Sequence, residues 1–248
     1  MMRRIIVFLA LIGFGSCALA LSQFVQDIPV SRGLIARWDI EEGTGTTSTR
    51  DETGNGYTAT LTSISEGDWG SGPISSRYWL DTSSAGGYLE VADADIFSFT
   101  DGSTTNYPFS AEVCAKPGSV GSKALMSKWI SSNHEWLFWF SASKLQLYIG
   151  GSSLIEKADD ATSSGTLHSY GFSYDGDQTV VLYMDGAPIA STTTGTAGIF
   201  SNLGAPVAIG TYNGSTSGSI IGPIAFAQLY SVELTQEEHA AIAQECRE

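Results

Sequence analysis

The sequence predicts an all-β fold, a two-sheet antiparallel sandwich with a short C-terminal helix. Three observations carry this. Short apolar runs recur along the chain, separated by turn-forming Gly, Asn, Asp and Ser. Several of these runs alternate apolar and polar residues with a period of two, the pattern of a half-buried strand. No run alternates with a long helical pattern, which argues against a parallel α/β sheet. Composition agrees: 42% of the 248 residues are hydrophobic, 28 are Gly and only 15% are charged. That is many strands with small-residue turns, and it excludes a disordered or coiled-coil chain.

The chain opens with "MMRRIIVFLALIGFGSCALA". Arg3 and Arg4 precede an apolar run, Ile5 to Phe14, and a small-x-small end at Ala18 and Ala20. This is the pattern of a secretory signal, residues 1–20, cleaved after Ala20. Two alternatives stay open: lipidation at Cys17, and an uncleaved anchor, for which the apolar run is short. No later run is long enough to cross a bilayer. Residues 21–33 read as an extended arm, because Pro29 and Gly33 discourage helix.

Strands follow over residues 34–234: Leu34–Ile40, Tyr57–Leu61, Arg77–Leu80, Tyr88–Val91, Phe109–Ala115, Ala124–Trp129 and Trp136–Phe140. They continue with Lys144–Ile149, Ser169–Tyr174, Thr179–Met184, Pro188–Thr192, Val207–Gly210 and Ile220–Tyr230. In Phe109–Ala115, residues Phe109, Ala111, Val113 and Ala115 share one face and read as core. The stretch "FSYDGDQTVVLYMDGAP" (172–188) reads as a three-strand meander with two tight turns at Asp175-Gly176 and Asp185-Gly186. The tail, residues 235–248, starts with Thr235 and has Glu238 three positions on, a capping box that predicts a helix over Gln236–Cys246.

Net charge is −14 and the pI is near 4.4. Such a field repels phosphate, so nucleic acid and anionic membranes are poor partners. Of three cysteines, signal cleavage would leave Cys114 and Cys246. Export permits a bond between them, and the sequence alone leaves it open.

Several segments in order resemble a known family: "GLIARWDIEEGTGTTSTRDETGNGYTATL" (33–61), "YLEVADADIFSF" (88–99), "PFSAEVCAKP" (108–117) and "KLQLYIGG" (144–151). After them come "LHSYGFSYDGDQTVVLYMDGAPIAS" (167–191), "VAIGTYNG" (207–214) and "IGPIAFAQLYSVELTQEE" (221–238). Together they resemble the laminin-G-like jelly-roll domain of the concanavalin A-like lectin/glucanase superfamily, over nearly all of residues 33–238. The resemblance implies a two-sheet jelly roll with ligands on a concave face or on rim loops. It does not by itself give a function.

Glycoside hydrolases of this superfamily carry two carboxylates about 5 Å apart on one sheet. Only Asp39 with Glu41, and Asp93 with Asp95, alternate in this way, and both pairs lie beside turns. There is no zinc-ligand pattern, nucleophile elbow or phosphate loop. His168 matches a position where the family often carries His, and reads as packing. "RDETGNGY" (50–57) matches a family turn near which some members hold calcium. Asp39, Glu41, Asp51 and Asn55 are the candidate ligands, since hard cations take six to eight oxygens from such loops. The family's final strand often has an Asp-Glu pair where this chain reads Ala225-Phe226, which weakens that site. The alternative is a turn whose Asp and Asn cap backbone N–H groups.

Trp129, Trp136, Trp139, Tyr212 and Asn213 are the candidate ligand residues, with Tyr148 and Asn133 near them. Aromatic rings can stack on sugars, and amides can bond hydroxyls. The reading is an exported or surface-associated, non-catalytic binding domain for a glycan or a surface protein. One alternative is a structural protein of a cell or virion surface acting through assembly, with oligomerisation open. Another is a hydrolase or lyase with an unusual site.

Overall fold

The computed structural model describes residues 30–247 apart from 73–77, 83–85, 132, 151, 159–164, 178, 194–201, 213, 215–217 and 221, with backbone only at 152–158 and 192–193. The expectations for the signal and most of the arm lie outside these residues.

Sixteen strands and one α-helix are described. They are β1 (Leu34–Asp39), β2 (Ser48–Thr49), β3 (Ala59–Thr62), β4 (Trp69–Ser71), β5 (Tyr78–Asp81), β6 (Tyr88–Val91), β7 (Phe109–Ala115) and β8 (Lys123–Ile130). Then come β9 (Asn133–Ser141), β10 (Lys144–Ile149), β11 (Ser152–Ala158), β12 (His168–Tyr174), β13 (Thr179–Met184), β14 (Ala187–Thr193), β15 (Val207–Ile209), β16 (Pro223–Tyr230) and α1 (Gln236–Glu245). The first sheet runs β14-β13-β12-β7-β16-β5-β4, with β1 also on β16; the second runs β11-β10-β9-β8-β15-β6-β3-β2. The two stack as an antiparallel sandwich.

Between them lies an aromatic core. Phe109 stacks on Phe99 at 4.1 Å and meets Phe172 edge-on at 5.1 Å. Trp136, Phe138, Phe140, Leu145 and Leu147 face it from the second sheet and are fully buried. β2, β4 and β11 were not expected from the sequence. β2 has only two residues, β4 centres on Gly70, and Leu154-Ile155 breaks the alternation of β11. The last strand starts at Pro223 rather than Ile220, because Gly222 at φ +154° turns the chain just before it.

The meander holds with one change. Asp185 and Gly186 both have positive φ, 52° and 76°, which makes a tight two-residue turn. Asp175 instead opens a longer connection, its Oδ1 accepting from the N–H groups of Asp177 and Thr179.

β7 is buried on both faces, not one. Its second face, Ser110, Glu112 and Cys114, lies under α1. The helix begins with the expected capping box of Thr235 and Glu238 and ends at Glu245. Three kinds of bond hold it to the sheet. Cys114 and Cys246 are disulfide-bonded with Cα atoms 5.6 Å apart. Arg32 pairs with Glu238 and Arg37 with Glu245, at 2.6 and 2.7 Å. Beneath the helix, His239 Nδ1 lies 2.6 Å from Glu112 Oε2, and its Nε2 lies 2.9 Å from Ser173 Oγ. Ser173 Oγ donates to the Leu234 carbonyl, and Ser110 Oγ donates to that of Val232. The imidazole thereby bridges the Glu112 carboxyl on β7 and the Ser173 hydroxyl on β12. Tyr183 stacks on the same imidazole at 3.8 Å.

Gly171 makes room for this network: a Cβ there would lie 2.0 Å from Glu112 Oε2 and 2.9 Å from His239 Nδ1. Gly171→Ala should therefore lower stability by about 1–3 kcal/mol, the usual cost of overpacking. Thermal unfolding checks this, and an unchanged Tm would show that the network gives way freely.

Candidate ligand-binding site

With α1 over the first sheet, the outer face of the second sheet is the face to inspect. Strand register fixes what it presents. Trp139 pairs with Gln146 and Leu137 with Tyr148, so these four point outward together. Trp136, Phe138 and Phe140, between them, point into the core. Trp136, a candidate from the sequence, is thus a core residue: it is fully buried and its indole donates to the Phe97 carbonyl. Alternation on β9 could not tell the two apolar faces apart, because both are apolar.

Alternation on β8 points Trp129 to the same outer face, and a register shift brings His134 beside it. β8 and β9 pair Lys128 with Trp136 and Trp129 with His134, leaving Glu135 as the extra residue of a bulge. Trp129 and His134 stack at 4.1 Å, with planes 14° apart. Trp129 meets Tyr148 at 6.3 Å, Tyr148 meets Trp139 at 5.6 Å, and Trp139 meets Tyr212 at 5.6 Å, all edge to face. Tyr212 arrives from outside the sheet, where Ser127 Oγ donates to the Thr211 carbonyl and holds that segment over β8. Trp129, Trp139, Tyr148 and Tyr212 are half-buried and His134 is exposed. The Trp139 indole N–H is buried with no acceptor among the described residues. The sequence-predicted Trp129, Trp139 and Tyr212 are thus brought together. Asn213 lies outside the described residues. His134 was missed as part of this face; its pairing with Trp129 depends on the bulge, which leaves no clear mark in the sequence.

Opposite, on the inner side, the bulge buries Glu135 beside Lys128. Lys128 Nζ donates to Glu135 Oε1 at 2.6 Å, Asp93 Oδ1 at 2.7 Å and the Leu203 carbonyl at 2.7 Å. Burial still pushes the Glu135 carboxyl above its usual range, against the pull of Lys128.

The candidate cation ligands do not form one cage. Asp51 accepts from the backbone N–H groups of Arg37, Thr53 and Tyr57, and from the Thr53 hydroxyl. The Asn55 amide donates to the Ile35 carbonyl at 2.8 Å. Asp39 pairs with Arg37 at 2.8 Å. Asp39 and Glu41 line a separate open cleft of about 480 Å³ with Glu42, Arg50 and Glu52. Among the described residues, no three His, Cys, Asp or Glu side chains gather in a way that could hold a metal ion. These residues do not fit the calcium site that the resemblance implies; the turn caps its own backbone.

Asp93 and Asp95, weighed for catalysis, are likewise engaged, Asp93 with Lys128 and Asp95 with Asn202 at 3.1 Å; Glu112 on β7 is engaged too, with His239. Glu112, His239 and Ser173 have the atom order of a nucleophilic triad, but all three are buried and the Ser173 hydroxyl is held by Leu234. His168 pairs with Asp185 at 2.8 Å.

Residues 83–238 match the family described as the concanavalin A-like lectin/glucanases superfamily, in its laminin G grouping. The chain belongs to this family. A search of curated proteins finds no match. Among solved structures, the chain is similar to domain 4 of AbnA, an extracellular GH43 arabinanase from Geobacillus stearothermophilus, in complex with arabinotriose. The TM-score is 0.60 at 16% identity, over 85% of this chain and 98% of that one. It is also similar to a botulinum neurotoxin type C structure whose report concerns cell entry through two ganglioside molecules (TM-score 0.60, 14% identity, 87% of this chain and 52% of that one). A third is the binding domain of botulinum neurotoxin DC with rat synaptotagmin II (0.60, 14%, 86% and 52%). The chain spans about half the length of these toxin structures. At such identities the likeness shows the fold alone.

No helix among the described residues is long and apolar enough to cross a membrane. Removing divalent cations with EDTA should leave Tm unchanged. A fall that calcium alone restores would place an ion in the 39–57 region after all.

Proposed function

We propose that this chain is an exported, non-catalytic binding domain, and that its ligand is a glycan held on the outer face of the second sheet. The observation that carries this is the aromatic array of Trp129, His134, Tyr148, Trp139 and Tyr212. These rings lie side by side, half-open, on the face that α1 does not cover. A sugar ring presents apolar C–H faces that suit such rings, while the edges of His134 and Tyr148 offer polar tips. The similar structures support the reading: the arabinanase domain holds arabinotriose, and the type C toxin report concerns gangliosides. Export is supported by the signal-like sequence of residues 1–20 and by the Cys114–Cys246 bond, which suits an oxidising compartment.

The synaptotagmin complex of a similar fold favours a second reading, in which the same face meets a protein. This covers the assembly alternative, and would show as an oligomer or complex that buries Trp129 and Trp139.

A glycan array probed with residues 21–248 tests the first reading. Selective binding is expected. Trp129→Ala and Trp139→Ala should each weaken it about 10- to 100-fold, as loss of a Trp anchor does elsewhere. A blank array, or variants that bind as well as the parent, would overturn the reading and leave the protein-binding one.

A further inference from the structure

The outer aromatic face has an angular arrangement that an apolar patch does not require. Trp129 and Tyr148 stand at 89° to each other with ring centroids 6.3 Å apart. Perpendicular pairs in the core are tighter: Phe109 with Phe172 and Phe140 with Tyr170 both lie at 5.1 Å. The surface pair is a wider corner with two aromatic walls, both half-buried. His134 is stacked on one face of Trp129 at 4.1 Å, so a ligand meets the other face. Trp139 stands at 83° to Tyr148 with centroids 5.6 Å apart, which makes Tyr148 a wall shared by two corners.

The face of an aromatic ring is the negative side of its quadrupole, and the edge is the positive side. Two ring faces turned at right angles onto one point concentrate negative potential there, which draws a cation. A quaternary ammonium rests with its nitrogen about 4.5 Å above a ring face, inside the roughly 6 Å reach of a cation–π contact. Over two perpendicular faces at once, that height needs centroids roughly 6.4 Å apart. The Trp129–Tyr148 spacing matches it. A primary ammonium suits the corner less, because it is strongly hydrated and brings three N–H donors that ring faces satisfy poorly. A quaternary one has no N–H to satisfy. The charge of the chain has the same sense: 26 acidic against 12 basic residues give −14, a field that attracts cations. Glu90 of β6 adds a carboxylate beside the loop that carries Tyr212, its Oε2 4.0 Å from where a Cβ on Gly214 would lie.

We propose that the corner between Trp129 and Tyr148 binds a quaternary ammonium group of the choline type, held by cation–π contact with Tyr148 as the central wall. The inference uses the face assigned above to a glycan but goes beyond that reading, because it fixes the charge and shape of the group recognised and holds without a sugar. The ammonium is either free in solution or the end of a lipid headgroup; the contact is the same. No bond is made or broken.

Saturation-transfer NMR of the chain with choline chloride tests this, with 3,3-dimethylbutan-1-ol as the control of the same shape and no charge. Saturable choline binding is expected, with the alcohol about fivefold weaker or more, the size of one cation–π contact. Tyr148→Leu should weaken choline roughly tenfold and Tyr148→Phe should restore it, since Phe keeps the ring and loses only the hydroxyl. An unchanged Tm shows that the Leu variant is folded. Co-sedimentation with phosphatidylcholine vesicles, against phosphatidylglycerol vesicles, then separates the two sources. Pelleting with the first alone assigns the lipid headgroup, and choline binding without pelleting assigns the free cation. No saturable choline binding, an alcohol that binds as tightly, or choline binding indifferent to Tyr148→Leu overturns the proposal. Selective glycan binding with no choline binding overturns this inference and leaves the glycan reading standing. Choline binding beside a blank glycan array does the reverse.

Discussion

Everything on the surface of this protein follows from what α1 buries. The first sheet carries Ser110, Glu112, Cys114 and Ser173 on its outer side, and none of these could face an apolar cover without partners. The helix supplies them: His239 for Glu112 and Ser173, Cys246 for Cys114, and the chain entering the helix for both serines. Removing one partner would leave a buried charge or hydroxyl unmatched, which is why the cover is specific rather than greasy. Gly171 and Gly186 let it sit close, the first beneath Glu112 and His239, the second against the backbone of Ala240. One side of the sandwich is thereby closed. The other side keeps its aromatic rings half-open.

A single bulge organises that other side. The extra residue Glu135, opposite the Lys128–Trp129 step, brings His134 level with Trp129 on the outer face and lets Glu135 turn inward beside Lys128. Inward, it creates the Lys128–Glu135–Asp93 cluster at the end of the core. Outward, it stacks Trp129 on His134 and completes the line of rings to Tyr212. The stacked Trp129–His134 pair and the buried Lys128–Glu135 pair are therefore two results of one local irregularity, on opposite sides of the same strand pair.

Much of the fold was legible because its signals are local. Period-two alternation gave β7, β10 and β13 to the residue, Asp185-Gly186 gave a tight turn, and Thr235 with Glu238 gave the start of the helix. What escaped was set by register and by contacts far apart in sequence. Trp136 and Trp139 are three residues apart on one strand, and nothing local says which faces the core. Glu112 reads as a solvent-facing alternate until a helix more than a hundred residues away covers it. For Asp51 and Asn55 the sequence left a cation site and a backbone-capping turn both open, and only the structure shows where the side chains go: Asp51 to N–H groups of the turn and of Arg37, Asn55 to the Ile35 carbonyl of β1. The candidate site was half legible: its rings could be named from the sequence, but their common face could not.

The central claim is that one open face, bearing Trp129 and Trp139, takes the ligand. The most direct test is fluorine NMR of the protein labelled with 5-fluorotryptophan, titrated with a glycan retained on an array. Six tryptophans give six probes spread over both sheets. The account predicts that the Trp129 and Trp139 signals move while those of Trp38, Trp69, Trp79 and Trp136 hold still. Saturable binding that leaves Trp129 and Trp139 unmoved, or that shifts Trp69 or Trp79 instead, would contradict it.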